Sequence, residues 1–505
     1  MTVSRPLLFF FEKELKPLYY WEIMILAELF PYANVLYDIF TVLYVLTVLA
    51  VIIVVLSENR NPVKSMAWML VLVLLPIVGL VIYLVFGRSL KGMRLISRSH
   101  LRELRRMNEF PEAVNLEDGL ADSSRQLISL VNKLTGRHLF QGNDIKVFTT
   151  GEEKFESLLR DIKEAKEYIY LQYFIIENDD TGRCLIDLLE NKARDGVTVK
   201  VLYDYVGSFY MRPRVLKRMR AAGIDIHPFM ELTFTRFFFR LNWRNHRKVV
   251  VIDGRVGYVG GMNIADRYVI GSRKEKAWRD THLRIEGEAV AALQYSFAID
   301  WDFTTRELLT QPPKYFNHSP EHLDHFVQMV NSGPTSRWNN ISFVFLKAIT
   351  LAKHNLYIQT PYFLPSDPLL KAMQSAALAG VDVRLMIPRK PDSAMLRFAT
   401  GSYIKECLQA GVKIYFYEPT MMHAKVVIVD DEFVTTGSTN FDFRSFEHNF
   451  EFNALIYSKD FNRKMTAIFE NDLTCCSRVS MGKWKQRPLI QKAFESVVRL
   501  IAPIL

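Results

Sequence analysis

Two short stretches carry residue types for acid–base and nucleophilic chemistry at one spacing. In NHRKVVVIDG, Asn245 to Gly254, the residues His246, Lys248 and Asp253 stand around a β-branched run; in MHAKVVIVDD, Met422 to Asp431, His423, Lys425 and Asp430 do the same. At equal offsets behind the aspartates come GGMN, with Gly260, Gly261 and Asn263, and GSTN, with Gly437, Ser438 and Asn440. Two lysines in one pocket attract an anion, and two asparagine amides suit the non-bridging oxygens of a phosphate. Asn263, Asn440, Ser438 and Gly261 are therefore the candidate substrate-binding set, the small residues allowing close approach of backbone or hydroxyl. Two histidines supply both halves of a phosphodiester exchange. A neutral one attacks phosphorus and becomes a phosphohistidine; a protonated one gives its proton to the departing alkoxide and then takes one from the next alcohol. The candidate catalytic set is His246, Lys248, Asp253, His423, Lys425 and Asp430. The two aspartates close their strands, so bonding to local backbone or to the other half competes with a catalytic role for them. Each histidine needs an orienting partner on its second nitrogen. Glu451, in NFEFN, is expected behind His423, and Asp280, in WRDTH, behind His246. A lysine two residues on is a poor metal ligand at neutral pH, and no His/Asp/Cys cluster completes a site, so neither a catalytic metal nor a cofactor is expected.

The elements that would position these residues also come in pairs. AKEYIYLQYFIIEND (Ala165 to Asp179) matches AKHNLYIQTPYFLPSD (Ala352 to Asp367), GVTVKVLYD (Gly196 to Asp204) matches GVDVRLMIP (Gly380 to Pro388), and AGIDIHPF (Ala222 to Phe229) matches AGVKIYFY (Ala410 to Tyr417). The histidine motif and the asparagine turn follow in each copy, and matched segments in one order mark a duplication. Each copy alternates short β-branched strands with helical stretches, which is α/β organisation. VVVID and VVIVD are continuous apolar runs, as expected of central strands covered on both faces. Two such lobes packed about a pseudo-twofold axis would bring both His/Lys pairs to one seam.

At 505 residues the chain is too long for one ordinary domain, and with 49% hydrophobic residues it can bury a large core. The formal charge of +10 points to an anionic partner, nucleic acid or membrane surface. Four cysteines without ligand spacing read as free thiols. IFTVLYVLTVLAVIIVVLS and SMAWMLVLVLLPIVGLVIYLVFG carry no charge, and each is long enough to cross a hydrocarbon core of about 30 Å. We read a two-helix transmembrane hairpin over 35–88, with spans at 37–57 and 66–87. Arg88, Lys91, Arg94, Arg98, Arg102, Arg105 and Arg106 follow the second span, against Arg60 and Lys64 in the link, so the positive-inside rule puts both chain ends and the catalytic body on the cytoplasmic side. Residues 1–34 suit either an interfacial amphipathic helix or a partly disordered lead-in, and 89–135 a basic juxtamembrane linker that includes SRSHLRELRRM. Lobe 1 is expected over 136–325, lobe 2 over 326–480, and a C-terminal helix over 481–505, its apolar spacing at Ile490, Phe494, Val497, Val498 and Ile501.

The paired H-x-K-x-x-x-x-D motif resembles the signature of the phospholipase D superfamily. Within it, NPVKSMAWMLVLVLLPIVGLVIYLVFGR, HRKVVVIDGRVGYVGGMNIADRY, WRDTHLRIEG and STNFDFRSFEHNFEFNA are similar to blocks of the bacterial cardiolipin synthases, and the likeness runs from about Asn61 to the C-terminus. The resemblance implies a fold of two similar α/β/α sandwich lobes with the active site between them. It implies transfer of a phosphatidyl group between two phosphatidylglycerol molecules, giving cardiolipin and glycerol, with His246 as nucleophile and His423 as acid and base. Gly261 departs from the superfamily, where serine is common, which leaves a hydroxyl contact to phosphate with Ser438 alone.

Three functions compete: a lipid phosphatidyltransferase, a phospholipase D-type hydrolase in which water takes the second step, and a membrane-tethered nuclease. Tethering favours lipid, because the spans hold the site where acceptor lipid is concentrated. The stretch FTRFFFRLNWRNHRK, Phe234 to Lys248, interleaves aromatic and basic residues and is expected to form an interfacial lip on anionic head groups. The expected partners are anionic phospholipid (phosphatidylglycerol and cardiolipin), a bacterial cell membrane and a second copy of the chain, but not nucleic acid.

Overall fold

A computed structural model describes residues 33–57, 62–75, 78–87, 90–107, 120–136, 139–232, 241–272, 275–309 and 325–502. The chain divides into two units, Met1–Arg88 and Ser89–Leu505. In the first, the helix Ala33–Ser57 contains one stretch, Tyr37–Leu56, long and apolar enough to cross a membrane. The second expected span is described in two parts. It runs as Pro62–Leu74, then Val78–Ile82 passing into a π-helical turn at Tyr83–Gly87. Gly79 N donates to Leu75 O at 2.6 Å between the two parts. Val55, Leu72 and Tyr83 are buried together, with the Trp68 ring edge-on to Tyr83 at 5.3 Å. Most of the expected interfacial segment at the N-terminus lies outside the described residues.

The second unit is built on two large sheets. Its strands are β1 Asp144–Phe148, β2 Tyr168–Tyr173, β3 Thr198–Asp204, β4 Asp225–Phe229, β5 Arg244–Asn245, β6 Val249–Ile252, β7 Val256–Gly260, β8 His282–Glu286, β9 Phe326–Ser332, β10 Asn355–Gln359, β11 Phe363–Leu364, β12 Asp382–Pro388, β13 Lys413–Tyr417, β14 Val426–Val429, β15 Phe433–Gly437, β16 Phe441–Asp442, β17 Asn449–Tyr457 and β18 Cys476–Arg478. The first sheet runs β1-β8-β7-β6-β2-β3-β4. The second repeats that order as β9-β17-β15-β14-β10-β12-β13, with β18 added at the far edge. In both, the strand after the motif lysine is central and antiparallel to a strand carrying a glutamine near its end: Gln172 faces Val249, and Gln359 faces Val426.

Helices cover both faces of each sheet. Helices Gly151–Glu164 and Asp180–Arg194 close one face of the first sheet, and Asn340–Leu351, Asp367–Leu378 and Ala394–Gln409 one face of the second. The other faces share one core, formed with Ala289–Thr305 and Lys459–Leu473; there Val249, Val251, Val426 and Ile428 sit with Trp301 and Phe469. Helix starts follow ordinary capping chemistry. The side chains of Asp179 and Ser458 accept from Gly182 N and Phe461 N, satisfying amides the helix leaves unpaired.

The stretch read as a linker contributes to the body. Helix Arg98–Met107 buries Leu104 in the shared core and bonds His100 to Asp302 at 2.6 Å, while Asp122–Thr135 buries Leu127, Ile128 and Val131 in the core of the second sheet. The i, i+1, i+4 spacing of those three apolar residues makes the helical stripe. Part of the expected lip, residues 234–240, lies outside the described residues. The described part contradicts an interfacial role: Asn242, Trp243 and Arg244 are buried, because the chain there enters the second sheet as β5.

Candidate active site

Each motif begins where its chain leaves a pairing with the opposite half and enters its own central strand. β5, just ahead of His246, pairs in parallel with the start of β17, and His246 N donates to Phe450 O at 2.9 Å. On the other side Met422 bridges Arg279, and His423 N donates to Arg279 O at 2.7 Å. In each case the next residue along the partner chain is a carboxylate, Glu451 or Asp280. The result is an exchange of partners. His246 Nδ1 lies 3.0 and 3.1 Å from the two oxygens of Glu451, and His423 Nδ1 lies 2.6 Å from Asp280 Oδ2. This corrects the sequence expectation, which paired Glu451 with His423 and Asp280 with His246: each half orients the histidine of the other. Nδ1 being engaged, Nε2 of each ring is the nitrogen left for chemistry.

The lysines are buried beside the histidines. Lys248 Nζ donates to His246 O at 2.6 Å, and Lys425 Nζ donates to His423 O and approaches its ring Nδ1 at 2.9 Å. Burial pulls Lys248 down to about 7 and Lys425 to about 8, the nearby carboxylates opposing it. Burial also depresses His423, to about 3, with Lys425 adding to the effect and Asp280 resisting it. His246 is lowered as well, by burial and then by Lys248 and Lys425, against Glu451. Burial alone would raise Glu451 and Asp280; for Glu451 the charges of His246 and Lys248 outweigh it, for Asp280 those of Lys425 and His423, and both carboxyls end below their ordinary range. Lys425 acts on His246 and Lys248 on His423, so the two pairs share one electrostatic site. Both imidazoles are thus held below their ordinary value, opposite two carboxyls held below theirs.

The remaining candidates divide. Ser438 donates to Glu451 and accepts from Phe452 N at 2.9 Å, so its hydroxyl supports the orienting carboxylate, not a phosphate as expected. Gly261 has the complementary reason to be small: a Cβ there would lie 2.2 Å from Asp280 Oδ1. The space a serine side chain fills in one half is taken by the carboxylate in the other. Asn263 donates to Tyr268 Oη at 2.8 Å and accepts from Ile175 N at 3.3 Å, which commits its amide to protein partners. Asn440 keeps a buried Oδ1 without a hydrogen-bond donor among the described residues. Asp253 and Asp430 stand at the far ends of their strands, where each has positive φ, 52° and 48°. Asp253 accepts from the amides of Lys166, Glu167 and Tyr168, and Asp430 from those of Lys353, His354 and Asn355, all within 2.9 Å. At about 3.3 Å per residue they sit some 15 Å from the motif lysines, which corrects their place in the catalytic set: they anchor the starts of β2 and β10.

Several residues around the rings escaped the sequence reading. Phe174 meets His246 edge-on at 5.0 Å, and Tyr268 and Trp278 flank His423 at 5.6 and 5.5 Å. Buried carboxylates from the two shared helices clamp the seam: Asp300 holds Arg247 and Gln172, and Asp472 holds Arg279 and Gln359. The repeated glutamine in IYLQ and LYIQ was a visible signal for this; the helix aspartates gave none.

The geometry agrees with what the chain resembles. A family model described as "Cardiolipin synthase, PLD-like domain" matches residues 158–301 and 345–473, and one described as "Phospholipase D-nuclease N-terminal" matches residues 45–88. The cardiolipin synthase of Listeria monocytogenes is 39% identical over 479 residues, covering 92% of this chain and 98% of its own. The major cardiolipin synthase of Bacillus subtilis is 39% identical over 92% of this chain and 98% of its own, and the cardiolipin synthase of Staphylococcus aureus 38% over 93% and 97%. Among solved structures, phosphatidylserine synthase of Haemophilus influenzae superposes with a TM-score of 0.57 at 15% identity, over 76% of this chain and 100% of its own, a likeness of fold. The chain belongs to the cardiolipin synthase family of phospholipase D-like proteins.

Proposed function

We propose that the protein is a membrane phosphatidyltransferase that makes cardiolipin and glycerol from two molecules of phosphatidylglycerol. The observation that carries this is the exchanged pair of imidazoles, each fixed at Nδ1 by a carboxylate and flanked by a buried lysine, in a chain of this family. In the first step His246 Nε2 attacks phosphorus, the bond to the head-group glycerol oxygen breaks, and His423 Nε2–H protonates that oxygen as glycerol leaves. The phosphatidyl–histidine carries positive charge on the ring, which Glu451 stabilises. In the second step a hydroxyl of another phosphatidylglycerol gives its proton to His423 and attacks phosphorus; the P–N bond breaks, and both histidines return to their starting states. His423 must be protonated for the first step. An arriving phosphodiester brings negative charge that opposes the burial and the lysine charges holding it down, and Asp280 stabilises the imidazolium. Lys248 and Lys425 hold the non-bridging oxygens. Asn440 Oδ1 suits a hydroxyl of the glycerol head group, and Asn263 acts through Tyr268.

The same reading takes the two lobes as related by a pseudo-twofold axis, and the first unit as a two-span hairpin with the catalytic body on the cytoplasmic side. The repeated strand order, the burial of Val55 with Leu72 and the basic run after Gly87 support it. The purified chain, given phosphatidylglycerol in mixed micelles, tests the function. Cardiolipin and glycerol in equal amounts are expected; phosphatidic acid instead would make it a hydrolase, and oligonucleotide cleavage without lipid turnover a nuclease.

A further inference from the structure

A cavity of about 990 Å³ opens at the end of β12 and β13, roofed by Ala394–Gln409, Met481–Lys485 and Leu489–Ile501. That volume is at the upper end for small-molecule sites. It takes no part in the chemistry above, yet its lining is strongly biased. Arg389, Lys390, Arg397, Arg478 and Lys483 reach it, and none of the five has a carboxylate partner among the described residues. The one acid on its wall, Glu495, is occupied by Arg487. Four aromatic side chains also line it, Phe398, Phe416, Trp484 and Phe494, with the Arg389 and Arg397 guanidinium groups 5.0 and 5.1 Å from the Phe416 and Phe398 rings. The Arg487 guanidinium stacks 3.5 Å from the Trp484 ring. At the mouth the terminal helix leaves an apolar face uncovered, with Leu489, Ile490 and Leu500 at least 80% exposed.

We propose that this cavity binds one molecule of anionic phospholipid. Its phosphate sits among Arg389, Lys390, Arg478 and Lys483, and its acyl chains run over the aromatic wall and out along the exposed face of the terminal helix. A neutral lipid leaves the unpaired cations unexplained, and a soluble phosphate leaves the aromatic wall and apolar mouth unexplained. The cavity and the histidines share one end of the second sheet, since β14 starts beside the end of β10, and β12 follows β10 in the order. At about 4.8 Å per strand they are separated by about 10–15 Å, so the site holds lipid next to the catalytic seam.

The inference goes beyond the turnover reading and is tested without turnover. The full-length His246→Ala protein in neutral detergent is irradiated with phosphatidylglycerol carrying a photoreactive acyl chain, and adducts are mapped by mass spectrometry. Labelling is expected within residues 389–398 and 484–494, suppressed by unlabelled phosphatidylglycerol but not by phosphatidylcholine or glycerol 3-phosphate. The variant Arg389→Gln/Lys390→Gln/Arg478→Gln is expected to lose about tenfold of that labelling with a nearly unchanged Tm, since these cations hold no carboxylate partner among the described residues. Arg397→Gln/Lys483→Gln provides a second, independent removal of charge with the same expected loss. Absence of label there, equal suppression by phosphatidylcholine, suppression by glycerol 3-phosphate alone, or unchanged labelling in both variants overturns the proposal.

Discussion

The two histidines are held by the same device in different residues, and the differences are coupled. Around His246 the carboxylate is the longer Glu451, steadied by Ser438; around His423 it is the shorter Asp280, lodged where a side chain at Gly261 would stand. A long acid with a hydroxyl beside it and a short acid against a bare glycine both place an oxygen at Nδ1. The comparison teaches that the unit repeated between the halves is the acid with the small residue packed on it, not either residue alone. It also explains why each half is incomplete: the acid lies next to the strand pairing that anchors the other half's histidine.

Removing either imidazole should break the site most completely. His246→Ala and His423→Ala are each expected to lower turnover by on the order of 10⁴-fold or more. They differ in what accumulates: labelled phosphoenzyme is trapped in His423→Ala and absent in His246→Ala, and the opposite pattern would exchange their roles. Next in size, Glu451→Gln and Asp280→Asn keep the shape but remove the charge that orients and stabilises each ring, with an expected loss of about 10²–10⁴-fold in kcat.

The small partners separate the halves. Gly261→Ser forces Asp280 from its place and is expected to cost about 10²-fold in kcat, whereas Ser438→Gly removes one hydrogen bond to Glu451 and is expected to cost about tenfold. Equal effects would show that the two shells are not built as described. The lysines set a pH dependence common to both halves. Their ammonium forms bind the anion, and burial puts them at about 7 and 8, so kcat/KM should fall as pH rises through that range. On the acid side the imidazoles lie below their ordinary value, His423 at about 3, so protonation of the free site should not depress kcat/KM at pH 6. Smallest in catalysis, Asp253→Asn and Asp430→Asn should leave kcat of the folded protein near normal while lowering stability by about 1–3 kcal/mol in denaturant unfolding, because each disturbs a carboxylate that caps three amides.

Much of this was legible beforehand for physical reasons. Continuous β-branched runs such as VVVI and VVIV suit central strands, and the two motif lysines directly before them fall at equivalent sheet positions. Partner exchange was not legible. Glu451 follows His423 in the chain, and Asp280 follows His246, so pairing within a half was the natural expectation. What overrides it is a two-residue parallel pairing at β5 and a single bridge at Met422, too short to leave a periodic trace. Trp243 and Arg244 misled because their types suit an interface, while the tertiary fold buries them.

The central claim is that the carboxylate of one half serves the histidine of the other. Deuterium exchange at the C2 position of individual histidines, followed by mass spectrometry across a pH series, reads each ring's titration separately. In Glu451→Gln the loss of negative charge at Nδ1 should move the His246 titration to lower pH and leave that of His423 nearly in place; Asp280→Asn should do the reverse. If Glu451→Gln instead moves His423 and spares His246, partner exchange is contradicted.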